Sequence, residues 1–457
     1  MDRDAATSAE AENPGTVKKA IAASAVGNFT EWFDYGLYAY GVSFIAAAIF
    51  PGEGATATLL ALATFAVSFL VRPLGGFVWG PLGDRLGRRR VLAITILVMS
   101  AATLCVGLVP SYTAIGVWAP ALMVILRMIQ GFSTGGEYGG AATFMAEYAP
   151  TRRRGILGSF LEVGTLVGFS VGALSMLLMS LMLSDDSMEA WGWRLPFLLA
   201  APLGLIGLYL RSRLDETPAF RELEDSGRRE ATVGTGFKEL IAEHWPPILR
   251  LIGLVVALNV VNYTLLTYMP TYLEKTIGLT TDMSLVVPII GMLSMIVFLP
   301  FAGLASDRFG RKPVWWFSVT GLFIAGIPMF LLMSTGLLGA IIGFAVLGLL
   351  YVPQLATISA TFPAMFPTQV RFAGFAIAYN VSTALFGGTA PAVNDWLIGV
   401  TGNDLVPAMY MMVACVVGAA ALIGLPETAR CPIDGTETPG TPEAPPQLDY
   451  ELQDSRA

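Results

Sequence analysis

The feature that most constrains this chain is a series of apolar runs, each about 20 residues or longer, separated by short polar loops. In a bilayer such a run must satisfy its own backbone amides, which within one segment only a helix does. The short alternating strands of a membrane β-barrel do not occur in this pattern. Composition agrees: 54% of the 457 residues are hydrophobic and 13% charged, where soluble domains carry about 25% charge. The runs predict twelve spans, at 20–47, 58–81, 91–109, 117–145, 155–183, 193–212, 247–273, 283–304, 313–334, 336–362, 372–396 and 405–426. The expected fold class is therefore an all-α polytopic membrane protein.

Charge orients the spans. Arg72, Arg127, Arg194 and Lys275 lie within spans or at their outer ends. The other Lys and Arg residues all fall on one side: at the N-terminus, in the loops after even-numbered spans or at the span ends that border them (Arg211 and Arg250), or at the C-terminus. The opposite loops hold Glu53, Asp185, Asp186, Glu189, Asp282 and Asp404. Both termini are thus expected in the cytoplasm, with the chain in the cell's inner (plasma) membrane. Residues 1–16 are polar and partly acidic, which does not suit a cleavable signal. The expected organisation is a cytoplasmic tail (1–19), a six-helix bundle (20–212), a charged cytoplasmic linker (213–246), a second six-helix bundle (247–426) and a Pro-rich acidic tail (427–457). Within the linker, residues 235–245 suit a short interfacial helix.

The halves repeat. GPLGDRLGRRR at 80–90 returns as GLASDRFGRKP at 303–313, after the second span of each half. A fainter echo pairs APTRRRG (149–155) with FPTQVRF (366–372), after the fourth span. Same-direction repeats of six spans indicate two bundles related by an axis along the membrane normal. The doubled G-x-x-x-D-R-x-G-R-[RK] loop in a twelve-span chain resembles the signature of the major facilitator superfamily. Its glycines permit a tight turn, and its Asp can accept hydrogen bonds at a helix end while pairing with Arg. The resemblance implies a gating role between the halves for Asp84, Arg85, Arg88, Arg89, Asp307, Arg308 and Arg311, without contact to substrate. GNFTEWFDYGLYAY, QGFSTGGEYGG, WGWRLPF and LRSRLDETPAF narrow it to the metabolite:H⁺ symporter branch. LNVVNYTLLTYMPTYL (258–273) and ATFPAMFPTQVRF (360–372) look most like its proline/glycine betaine transporters. The long C-terminal coiled coil that some members carry has no counterpart here, since 427–457 lacks heptads.

Several classes are excluded. No G-x-x-x-x-G-K-[ST] loop occurs, so ATP is not expected as energy source. Cys105, Cys415 and Cys431 show no paired spacing, and His244, the single His, lies in the linker. No metal site, cofactor, nucleic-acid partner or catalytic set is expected, and the chain does not read as an enzyme.

Charges within spans are costly and mark function. On a helical wheel Asn28, Glu31, Asp34, Tyr35 and Tyr38 share a third of span 1, with Trp32 beside Asn28. Arg127, Gln130, Thr134, Glu137 and Tyr138 share a face of span 4. Arg72 is a candidate partner for Glu31 or Asp34. Glu162 lies mid-span, and Asn262, Tyr263, Tyr379 and Asn380 are polar candidates in spans 7 and 11. Arg194, Trp315 and Trp316 read as interfacial anchors.

With the resemblance, these residues imply a proton symporter that imports a zwitterionic compatible solute such as proline or glycine betaine. Asn28, Trp32, Tyr35, Arg127, Gln130, Tyr138, Asn262, Tyr263, Tyr379 and Asn380 are the expected substrate residues. Arg127 is expected to grip the carboxylate and the aromatic faces to receive the ammonium. With no His in any span, the expected proton carriers are Glu31, Asp34, Glu137 and Glu162. Two alternatives keep the scaffold: symport of a carboxylate such as α-ketoglutarate, citrate or shikimate, and proton-coupled drug export. Only two arginines lie deep in the spans, near four acids, which favours the zwitterion.

Overall fold

The computed structural model describes residues 14–52, 54–86, 88–135, 137–212, 233–367, 371–433 and 438–440. These are almost wholly helical, with no strand among the described residues. Twelve helical spans follow one another. α1 is Pro14–Tyr40, prolonged past Gly41 by Val42–Ile49. α2 is Ala55–Leu86 and α3 is Arg88–Leu108. α4 is Trp118–Thr134, resumed by Glu137–Tyr148. α5 is Arg154–Met182, and α6 joins Leu195–Leu198 to Ala200–Ser212. α7 runs Val233–Asn262 and ends in Met269–Lys275. α8 is Thr281–Phe309, α9 Arg311–Met333, and α10 Leu337–Ala356 followed by Ile358–Thr361. α11 joins Arg371–Ser382 to Ala390–Thr401, and α12 is Val406–Ile423.

Seven helices are long and apolar enough to cross a membrane on length and composition alone: α2, α5, α7, α8, α9, α10 and α12. The remaining five have internal breaks, mid-helix charges or shorter apolar stretches. Large apolar side chains such as Leu74, Leu178, Leu205, Phe301, Phe317 and Val413 are exposed around the bundles. That outer coat is what lipid requires, and the polar groups turn inward.

Small residues set the closest packing. Gly164, Gly168 and Gly172 form a stripe on α5 against α1, where a Cβ on Gly168 would lie 2.6 Å from the Phe29 carbonyl oxygen. Gly131 and Gly135 of α4 press on the carbonyls of Ser68 and Arg72 in α2. Between the halves, a Cβ on Gly303 of α8 would meet the Gly155 carbonyl oxygen of α5 at 2.6 Å. Small residues in spans let helix backbones approach this closely.

Two expectations change, and one feature was not foreseen. α7 starts at Val233, inside the stretch read as linker, and is continuous through Pro246 and Pro247. Trp315 is no interfacial anchor: it is fully buried, its ring 5.7 Å from that of Phe362. α7 and α11 do not keep regular α geometry. Both widen to π-helical turns, at Tyr263–Tyr268 and Thr383–Gly387. Most of the linker and of the C-terminal tail lies outside the described residues.

Candidate functional site

The α1 face predicted from helical spacing is buried along its length, with Asn28, Glu31, Trp32, Asp34, Tyr35 and Tyr38 all inside. Its two acids take different partners. Glu31 pairs with Arg72 of α2 at 2.6 Å. Asp34 faces Arg127 of α4 at 3.6 Å, and Gln130 joins them, donating to both Asp34 oxygens while accepting from Arg127 Nη1 at 3.0 Å. Gln130 also donates to Thr103 of α3 at 2.8 Å. The Arg127 guanidinium lies over the Tyr38 ring at 3.7 Å, and its Nε and Nη2 make no hydrogen bond.

Between these ion pairs sits a cluster of aromatic rings drawn from both halves. Trp32 and Tyr35 meet at 5.6 Å, Tyr35 and Phe69 at 4.8 Å, and Phe69 and Tyr263 of α7 at 5.1 Å. Trp32 and Phe65 also face Tyr263, at 6.3 and 6.4 Å. Arg72 lies 5.4 Å from the Phe69 ring and Arg127 5.9 Å from the Phe65 ring. The cluster is thus flanked by two buried arginines, each beside an acid. Tyr263 is buried and its hydroxyl makes no hydrogen bond.

A third acid stands apart. Glu162 of α5 accepts from Tyr138 of α4 at 2.5 Å and from Thr165 at 2.9 Å. Tyr138 stacks on Tyr379 of α11 at 4.7 Å. Thr165 in turn accepts from Asn28 at 2.5 Å, and Asn28 accepts from the Trp32 indole at 3.1 Å. A continuous row of donors and acceptors therefore joins the Glu162 carboxylate to the aromatic cluster.

The halves close above and below this layer. On the outer side Tyr40 donates to the Leu266 carbonyl at 2.7 Å, Ser43 to Glu274 at 2.8 Å and Ser180 to Asp282 at 2.6 Å. Lys275 reaches Thr58 of α2 and the Gly54 carbonyl just before that helix. On the cytoplasmic side Asp307 of α8 accepts from the Gly155 and Ile156 amides at 2.8 and 2.9 Å. A carboxylate from one half thus caps the positive N-terminus of a helix in the other. Arg311 holds the same carboxylate at 2.7 Å. Asn380 donates to the Gly135 carbonyl across the halves at 3.1 Å.

Of the sequence-derived candidates, Trp32, Tyr35 and Tyr263 meet in the cluster, and Tyr138 and Tyr379 stack beside it. Asn262 turns to Tyr351 of α10, which donates to it at 3.1 Å. Arg127, Gln130 and Asp34 form a network among α1, α3 and α4. Arg308 is exposed, over the Phe309 ring. The side chains of Glu137, Asp84, Arg85, Arg88 and Arg89 lie outside the described residues. Arg194 donates to the Ala190 and Val109 carbonyls and lies over the Trp193 ring.

Sequence reasoning missed Phe65, Phe69, Thr103 and Thr165. An apolar ring in a span reads the same whether it faces lipid or a partner ring, and a span threonine usually bonds its own helix. It also missed the π-helical turns, which lie where α7 and α11 touch: Asn259 donates to Thr383 at 2.9 Å, and Asn394 to Thr264 at 3.1 Å. Such turns are rare and recur at functional sites. Gly387–Gly388 was the available sign.

Two six-helix halves, sealed outside and inside around a buried polar and aromatic layer, are the architecture of a membrane transporter. The Major Facilitator Superfamily profile matches residues 25–391, and the chain belongs to that family. Its relatives include the glycine betaine/proline/ectoine/pipecolic acid transporter of Dickeya dadantii, 44% identical over 92% of this chain and 85% of the relative. A proline/betaine transporter of Escherichia coli is 44% identical over 92% and 86%. The ectoine/proline transporter of Corynebacterium glutamicum is 42% identical over 93% and 86%. Among solved structures, a D-xylose–proton symporter superposes with a TM-score of 0.70 at 21% identity, over 88% of this chain and 96% of the other. A proton:xylose symporter bound to 6-bromo-6-deoxy-D-glucose gives 0.73 at 19%, over 93% and 98%. These show the fold. The chain is a multi-pass membrane transporter and not an enzyme.

Proposed function

We propose that this protein imports a zwitterionic compatible solute, proline, glycine betaine or a close relative, together with a proton. The observation that carries the reading is the aromatic cluster of Trp32, Tyr35, Phe65, Phe69 and Tyr263, enclosed between two buried arginine–acid pairs. Aromatic faces attract a desolvated ammonium. A carboxylate needs a planar donor edge, and the Nε–Nη2 edge of Arg127 makes no other hydrogen bond. Each arginine already has an acid beside it, so the site has no spare cation for a di- or tricarboxylate. The names of the relatives support the same solute class.

Glu162 is the proton carrier in this reading. Of the three acids described in the N-terminal bundle core, Glu31 and Asp34 have arginines and Glu162 has only the Tyr138 and Thr165 hydroxyls. The row through Thr165 and Asn28 to Trp32 gives the proton a mechanical link to the solute. Asp307 and Arg311 serve the cytoplasmic gate. The bundles span about residues 20–212 and 247–426, in the cell's inner membrane with both termini in the cytoplasm, as the basic loops require.

The test is uptake of labelled glycine betaine, proline and α-ketoglutarate into proteoliposomes, with and without an inward proton gradient. Betaine or proline entry that rises with the gradient, and a Glu162→Gln variant that keeps solute exchange but no longer accumulates solute, is the expected result. Entry of α-ketoglutarate alone overturns the solute, and gradient-driven accumulation by Glu162→Gln overturns the proton carrier.

A further inference from the structure

Past α12 the chain turns back beneath the bundles. Glu427 accepts from the Arg311 and Lys312 amides at 2.8 and 3.0 Å, at the start of α9. Arg430 donates to the Asp307 carbonyl at 3.3 Å and to that of Arg308. Its φ of 62° makes it the one non-glycine at positive φ among the described residues, a conformation kept only where the surroundings hold it. The Cys431 carbonyl accepts from Arg154 of α5 at 3.1 Å, and the Ile433 carbonyl accepts from Arg371 of α11. The Ile433 side chain is buried with Ala146 of α4 and Ala364, the latter just after α10. Thr428, Ala429, Cys431 and Ile433 are all buried.

The two arginines occupy matching positions in APTRRRG and FPTQVRF. Their environments match too. Arg154 Nε donates to the carbonyl eight residues before it, Ala146, at 2.9 Å. Arg371 Nε donates to the carbonyl eight residues before it, Pro363, at 3.2 Å. The repeat therefore supplies a pair of equivalent donors, one per half, and the segment 427–433 lies across both. Arg371 also pairs with Glu147 of α4 at 3.0 Å, so it reaches the opposite half directly.

We infer that residues 427–433 are a latch on the cytoplasmic gate, clamped by Arg154 and Arg371, and that the latch must leave one half before the chain opens inward. Opening carries α4 and α5 away from α10 and α11. Carbonyls two residues apart in one short segment cannot follow both arginines. Arg154 and Arg371 are thus positioning residues of the transport cycle: they touch no solute, and they set how readily the inward-open state forms. The inference rests on alternate opening of the two halves and not on the identity of the solute.

Cys431 reports on the latch, since its thiol is buried and bonds the Glu427 carbonyl. With Cys105→Ser and Cys415→Ser it is the sole thiol of the chain. Its labelling by a membrane-impermeant maleimide is followed in inside-out vesicles, with glycine betaine, with proline and with neither. The expected result is slow labelling of the resting protein, several-fold faster labelling during transport, and labelling at least tenfold faster in Arg371→Ala. Ile433→Glu, which puts a charge between Ala146 and Ala364 while leaving both arginines unsubstituted, is expected to do the same should Arg371→Ala fold poorly. Labelling equally fast in the parent and in both variants overturns the latch. Fast variants with no response to either solute support the latch and count against the solute assignment.

Discussion

Tyr263→Phe separates the part its ring plays in the aromatic cluster from that of its hydroxyl. The ring packs on Trp32, Phe65 and Phe69, and the buried hydroxyl has no hydrogen-bond partner. A buried polar group in that state costs about 1–3 kcal/mol. Deleting it while keeping the ring is expected to stabilise the solute-free protein by up to that amount. If the hydroxyl serves to donate to the solute carboxylate, the same deletion removes a hydrogen bond to a charged group. That is worth about 1.5–3 kcal/mol, or about ten- to a hundredfold in affinity at about 1.4 kcal/mol per decade. The two effects have opposite signs in one variant. Thermal unfolding in detergent, with and without saturating glycine betaine, reads both: the solute-free Tm rises and the solute-induced shift shrinks, while KM for uptake climbs. A variant that melts lower without solute and keeps the parental KM refutes the reasoning, because the hydroxyl then works for the fold and not for the ligand.

Other perturbations follow from the same geometry. Arg72→Met leaves Glu31 buried without its arginine and is expected to lose about 3–5 kcal/mol; a double variant with Glu31→Leu should recover part of that, read as yield and melting temperature in detergent. Asp307→Asn weakens the cap on α5 and the bond to Arg311, at a cost of about 1.5–3 kcal/mol to the closed cytoplasmic gate. Initial-rate uptake should then show a reduced Vmax with KM little changed. A Cβ on Gly387 would lie 2.8 Å from the Tyr263 ring, so Gly387→Ala is expected to push the ring and raise KM several-fold, with proteoliposome uptake as the measure.

The α1 face was legible because helical period alone places Asn28, Glu31, Asp34 and Tyr35 together, and charges in an apolar run cannot point to lipid. The repeat gave the two bundles and the place of Asp307. What stayed hidden depends on groups that sequence does not distinguish. Phe65 and Phe69 look like any lipid-facing ring, and Trp315 looked interfacial because it stands beside a basic loop. The latch is held largely through the backbone carbonyls of Cys431 and Ile433, which every residue possesses. The π-helical turn of α7 carries no composition of its own, with neither Gly nor Pro within YTLLTY, and only the one in α11 ends on glycines, Gly387 and Gly388.

Every charge described in the middle of the membrane belongs to the first bundle: Glu31, Asp34, Arg72, Arg127 and Glu162. The second bundle brings Asn, Tyr and Thr to the same layer. Each of the five has an ion-pair or hydrogen-bond partner within the first six helices. A growing chain emerges N-terminal end first, and an uncompensated charge is costly in lipid. The half made first can therefore neutralise or hydrogen-bond its own charges before the second half exists. The order of synthesis and the order of electrostatic need coincide, and the ribosome delivers last the half that can wait.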